Sequence, residues 1–205
     1  MHMQRLATLA LLAAVTATAA SAKSRVEAFG ARAIETQGCP EGSYSIVTAP
    51  DGGALSVLFD NFAVTGTQAN GGFARMTCAI EIPLRLPEGY SLGVYQMDYR
   101  GFAQLGHKQR AELAVDYGTG RGNRGRRFHR HVKGTFAGDF VFNENLRGGV
   151  LRRMGCGEEA VLNFRATLTL VSKRDDREGT MALDSVDGAP KGGLVFGLDL
   201  KKCKG

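Results

Sequence analysis

Apolar and polar residues alternate with a period of two along most of this chain. Between Arg75 and Leu86, one face carries Met76, Cys78, Ile80, Ile82, Leu84 and Leu86. The other carries Arg75, Thr77, Glu81, Pro83 and Arg85. A strand sends successive side chains to opposite faces, so the pattern predicts a half-buried strand. Pro83 has no ladder donor and predicts a sheet edge or a bulge at that point. Leu162, Phe164, Ala166, Leu168 and Leu170 repeat the alternation against Asn163, Arg165, Thr167 and Thr169, and Leu194, Phe196, Leu198 and Leu200 repeat it again. Weaker versions predict strands over Ser43 to Thr48, Leu55 to Phe59, Leu92 to Leu105, Ala111 to Tyr117, Phe128 to Phe142 and Thr180 to Val186.

Turn chemistry separates these runs. Pro50-Asp51-Gly52-Gly53 and Pro87-Glu88-Gly89 each divide two strands, and Lys173 to Gly179 reads as a charged hairpin loop. One short helix is predicted, over Glu144 to Arg153. No alternation of strands and helices appears. The expected fold is therefore all-β: a single antiparallel β-sandwich, jelly-roll-like, stapled by two disulfides. Asp98-Tyr99-Arg100-Gly101 predicts a strand-borne ion pair, with Gly101 at a bulge or a place of close packing.

The N-terminus changes the compartment. Arg5, the apolar run Leu6 to Ala14 and the small residues Ala20-Ser21-Ala22 read as a secretory signal, with residues 1–22 removed and 23–205 forming one secreted domain. The apolar run is too short for a bilayer span, which takes about 20 residues. The expected location is secreted or extracellular, including the periplasm or cell surface, where Cys39, Cys78, Cys156 and Cys203 oxidise. Four cysteines allow three pairings. The preferred one, Cys39 with Cys78 and Cys156 with Cys203, ties each half of the chain to itself. A zinc site would need clustered pairs, which are absent.

The formal net charge of +6 favours acidic partners in a general way. The basic residues concentrate in Arg121, Arg124, Arg126, Arg127, Arg130 and Lys133, within a stretch that holds no acid. Arginine forks match phosphate, sulfate and carboxylate bidentately, so the stretch is a candidate anion-binding loop for an acidic polysaccharide or other polyanion. Phe128 is its single aromatic residue, so a base-stacking nucleic-acid interface is not expected. His129 and His131 would share a strand face, but His107 is the only further histidine after the signal and the arginines repel cations; no metal and no cofactor are expected. No nucleophile elbow, zinc-protease, P-loop or dinucleotide motif is present. Asp98, Asp139 and Glu144 are the candidates for a hydrolase carboxylate pair. The absence of Trp weakens the case for a sugar-stacking platform.

An ordered set of short motifs carries a family resemblance. Gly38-Cys39-Pro40-Glu41-Gly42-Ser43, Arg75-Met76-Thr77-Cys78, Leu86-Pro87-Glu88-Gly89-Tyr90 and Tyr99-Arg100-Gly101-Phe102-Ala103-Gln104-Leu105 come first. Gly138-Asp139-Phe140, Cys156-Gly157, Asp184-Ser185-Val186-Asp187 and Cys203 follow. Together they resemble domain-of-unknown-function family 4360, small secreted proteins of bacteria and fungi. The resemblance implies a secreted β-rich domain with two disulfides and carries over no catalytic residue. The basic stretch departs from the family's Ser- and Thr-rich pattern. The expected function is that of a secreted, non-enzymatic surface or binding protein, monomeric and without a membrane span. The alternatives are a carbohydrate-active hydrolase and an inhibitor or effector protein.

Overall fold

Leu162, Phe164, Ala166, Leu168 and Leu170 are all at most 2 % exposed, while Arg165 between them is exposed. This strand therefore has one face in a core and one in solvent, and the same division holds for most of its neighbours. The computed structural model describes residues 26–67, 69, 71–120, 125–146, 151, 153–157, 159–173, 177–183 and 192–204. Residues 1–22, expected to be a secretory signal, lie outside them. Within them the chain forms strands β1 (Glu27–Ala28), β2 (Arg32–Glu35), β3 (Tyr44–Thr48), β4 (Ala54–Phe59), β5 (Ala63–Gly66), β6 (Phe73–Arg85) and β7 (Tyr90–Leu105). There follow β8 (Gln109–Thr119), β9 (Arg126–Lys133), β10 (Phe136–Asn145), β11 (Met154–Gly155), β12 (Ala160–Ser172), β13 (Gly179–Ala182) and β14 (Gly193–Lys202).

The strands build two antiparallel sheets that pack as a sandwich. The front sheet has the order β1-β6-β12-β8-β9, with β2 also on β6. The back sheet has the order β3-β4-β14-β7-β13-β5, with β10 and β11 on the other side of β7. Phe164 of the front sheet meets Phe59 and Phe196 of the back sheet at ring separations of 6.4 and 6.1 Å. Tyr99 of the back sheet stacks on Phe128 of the front sheet at 4.0 Å. Burying each such side chain contributes roughly 1.5–3 kcal/mol.

Cys39 is bonded to Cys78 on β6, and Cys156 to Cys203 beyond β14. The first bond ties the connector between β2 and β3 back onto β6, and the second joins the ends of β11 and β14 in the back sheet. Arg153 adds a polar tie beside the second bond: its guanidinium donates to Ser91 Oγ at 3.0 Å, to the Ser91 carbonyl at 2.9 Å, to Asp199 Oδ2 at 3.0 Å and to the Asp199 carbonyl at 2.8 Å. Burial pushes the Asp199 carboxyl up, but the Arg153 and Lys201 bonds outweigh it and hold the group below its usual range.

Three expectations are corrected. Glu144 and Asn145 end strand β10, and Leu146, Leu151 and Arg153 are not helical, so the described part of the Glu144 to Arg153 helix does not form. The inward positions Phe140 and Phe142 set a period of two that Glu144 continues, because it meets partners inside the sandwich. Phe128 to Phe142 is two strands, β9 in the front sheet and β10 in the back. The chain changes sheets at Gly134, where an added Cβ would sit 1.6 Å from the Gly106 carbonyl oxygen. Lys173 to Gly179 joins β12 of the front sheet to β13 of the back sheet, so it is a crossover between sheets and not a hairpin. Residues 174–176 of it lie outside the described set, as do 184–186 of the Thr180 to Val186 segment.

Pro83 sits inside β6 where its outer neighbours β1 and β2 are interrupted, and the Phe29 N–H donates to its carbonyl at 3.1 Å. The carbonyl and the missing N–H of an antiparallel residue face the same side, so the lost donor falls at this break. Gly101 marks close packing as expected: an added Cβ would lie 2.0 Å from the Ala182 carbonyl oxygen.

Candidate functional site

Of the six basic candidates, Arg121 and Arg124 lie outside the described residues. Arg126, Arg127, Arg130 and Lys133 belong to edge strand β9 and not to a loop: Phe128 and Val132 enter the core, Arg126 and Arg130 flank them on the same face, and Arg127 and Lys133 lie on the other. Two of the four are matched by acids. The Arg127 fork donates to both oxygens of its cross-strand partner Asp116, at 2.6 and 3.0 Å. The Asp116 carboxylate beside it holds the Arg127 guanidinium more firmly protonated. Arg126 pairs with Glu144 at 2.8 Å. The Arg130 guanidinium lies 4.8 Å above the Phe128 ring. Lys133 is exposed, as are His129 and His131. Among the described residues no three metal-binding side chains converge.

Arg126 and Arg127 line a groove of about 520 Å³ on the outer face of the front sheet, together with Ile34, Glu81, Asp116, Asn163 and Arg165. Strand register explains its chemistry. Glu35, Ala79, Arg165, Asp116 and Arg127 form one row across β2, β6, β12, β8 and β9. Arg165 bonds Glu35, and Arg127 bonds Asp116, so acid and base alternate along the row. The next row brings Arg32 onto Glu81 at 2.7 Å, with Asn163 beside Glu81. Small Ala79 and Gly118 leave the floor open between these groups. At the rim, Ala33 pairs with Ile80 and Glu35 with Ala79, so Ile34 is an extra residue on β2. This bulge leaves Ile34 52 % exposed over the groove. Glu35, Glu81, Asn163 and Arg165 were not among the sequence candidates. Their available signal was their place on the polar phase of otherwise apolar strands.

The three candidate carboxylates do not converge. Glu144 points between the sheets. Its Oε2 accepts from Tyr99 at 3.0 Å and from Tyr117 at 2.8 Å, and its Oε1 faces Arg126. Burial, together with the neighbouring Glu144 carboxylate, drives both tyrosines far above their ordinary range, so their hydroxyls remain donors. Asp98 is one register step away on the opposite face, where its side chain accepts from Gln96, Asn143 and Arg100. The Arg100 contact, at 3.4 Å, is the strand-borne ion pair read from the sequence. Asp139 is exposed opposite Phe102. A hydrolase of the two-carboxylate type needs its pair on a shared face about 5–10 Å apart.

No helix among the described residues is long and apolar enough to cross a membrane. A search of solved structures finds TmCBM61 in complex with beta-1,4-galactotriose, at 12 % identity and a TM-score of 0.27, covering 88 % of this chain and 89 % of that one. So distant a likeness carries no weight for the ligand. An "Uncharacterized secreted protein" of Arthroderma benhamiae is 27 % identical over 73 % of this chain, and the chain spans 62 % of the length of that relative. The present protein is likewise secreted, and its two disulfides suit an oxidising compartment. Residues 33–203 match the model described as "Domain of unknown function (DUF4360)", and the chain belongs to that family.

Proposed function

We propose that the protein is exported with loss of residues 1–22 and acts outside the cell as a non-enzymatic binding protein for hydroxyl-rich polymers. The front-sheet groove is the contact surface. The observation that carries the reading is the groove's charge balance: Arg165 is matched by Glu35, and Arg127 by Asp116. Fixed carboxylates, guanidinium groups and the Asn163 amide offer both acceptors and donors in planar geometry, which suits sugar hydroxyls. A polyanion is less well served. At Arg127 and Arg126 it would have to displace Asp116 and Glu144, which leaves Arg130 and Lys133 as the described cations of the stretch without an acid partner. The inward-facing and saturated Glu144 gives no support to a hydrolase.

The test uses protein recovered from culture medium, whose intact mass should place the N-terminus at Lys23. Affinity electrophoresis against soluble mannan, xylan and β-1,3-glucan should retard the protein. Arg165→Ala and Arg127→Ala should weaken that retardation severalfold with the thermal midpoint unchanged. Retention on heparin that disappears with added salt, without retardation by any neutral glycan, would replace this reading with the polyanion one.

A further inference from the structure

The back sheet carries a second feature that the groove does not explain. Gly197 pairs with Gln96 and Leu198 with Val94, so Tyr95 is an extra residue on β7. A bulge re-aims side chains. Here Val94 and Met97 both enter the core, while Tyr95 and Gln96 both turn outward, with Tyr95 50 % exposed. The Tyr95 ring lies over Gly197, where an added Cβ would meet ring atoms at 2.9 and 3.1 Å. Any larger residue at 197 would push the ring off the sheet. One ring face is therefore held against backbone and the ring stands half open to solvent.

Beside the ring lies a fixed polar group. Asp98 Oδ1 accepts from Gln96 Nε2 at 2.9 Å and from Asn143 Nδ2 at 2.8 Å, and Arg100 approaches Oδ2 at 3.4 Å. Burial alone pushes the Asp98 carboxyl up, but the bonds from Asn143, Gln96 and Arg100 outweigh it and hold it below the usual range. Each amide commits one N–H to Asp98. Its oxygen and second N–H have no partner among the described residues. Arg100 balances the carboxylate, so the cluster does not select for a charged ligand.

We propose that Tyr95, Gln96, Asp98 and Asn143 form a platform for a neutral sugar ring. The C–H face of a pyranose packs on the aromatic ring, and its rim hydroxyls exchange hydrogen bonds with the two oriented amides. The platform shares with the groove only its ligand class, and it occupies the opposite outer face. A polysaccharide chain could thus be held at either face, and two chains could be bridged by one protein.

The alternative for Tyr95 is a cover for Gly197 that stabilises the sheet and binds nothing. Isothermal titration with mannan-, xylan- and β-1,3-glucan-derived hexasaccharides separates the two. Tyr95→Ala should raise Kd at least tenfold with the native circular dichroism spectrum kept, and Tyr95→Phe should bind like the parent. Asn143→Ala and Gln96→Ala should each raise Kd two- to fivefold. They also serve as the readout if Tyr95→Ala fails to fold. Unchanged Kd in Tyr95→Ala, or in both amide variants, overturns the platform. Loss of binding in Arg165→Ala alone assigns the ligand to the groove and overturns the platform only. Loss in the platform variants alone overturns the groove reading and leaves the platform standing. A parent protein that binds none of the hexasaccharides overturns both.

Discussion

Glu144 and Asp98 sit one register step apart on paired strands, with side chains 11 % and 13 % exposed. Each gathers three donors: Tyr99, Tyr117 and Arg126 for the first, Gln96, Asn143 and Arg100 for the second. The difference lies in what those donors have left over. Tyr99 and Tyr117 are buried between the sheets, so the acceptor capacity left on their hydroxyls is out of a ligand's reach. The outer-face amides of Gln96 and Asn143 each keep an oxygen and an N–H with no partner among the described residues. Equal burial and equal bond number thus produce a clamp in one place and a recognition surface in the other. Strand phase decides which.

The sharpest way to break the comparison is Glu144→Ala. It leaves two buried hydroxyls and one guanidinium without their acceptor, so unfolding in urea should show a loss of about 3 kcal/mol. An effect near zero would mean that the sheets are held by apolar packing alone. Asp98→Ala should cost less, about 1 kcal/mol, because water can serve the amides it abandons. The smallest effect is the pH dependence of that term. The Asp98 carboxyl is held low in the fold, so its contribution is complete above the ordinary value of about 3.9 and is lost as pH falls through the lower folded value. The urea midpoints of the parent and of Asp98→Asn should therefore differ at pH 6 and converge in strong acid. A gap that widens on acidification would reverse the assigned sign.

The half-buried strands were legible because one side faces a core and the other faces water. Leu162 to Leu170 shows this directly, and the preferred disulfide pairing, with each bond inside one half of the chain, is the one present. The β9–β10 division was not legible, because the alternation from Phe128 to Phe142 hides a change of sheet. Strands such as β1 and β11 are two residues long and leave too short a period to read. The basic stretch was visible as composition. Its acids were not, since Asp116 and Glu144 reach it only through strand pairing and sheet stacking. Tyr95 had a signal that went unused. The apolar phase runs through Leu92 and Val94, then resumes on Met97 and Tyr99, and that slip marks the bulge.

Neither covalent staple joins a strand of one leaf to a strand of the other: Cys39 holds the β2–β3 connector to β6 in the front, and Cys156 to Cys203 joins strand ends in the back. Nothing covalent, apart from the main chain itself, rivets one leaf to the other among the described residues. The joining of the two leaves is therefore left to the main chain and to the buried side chains between them.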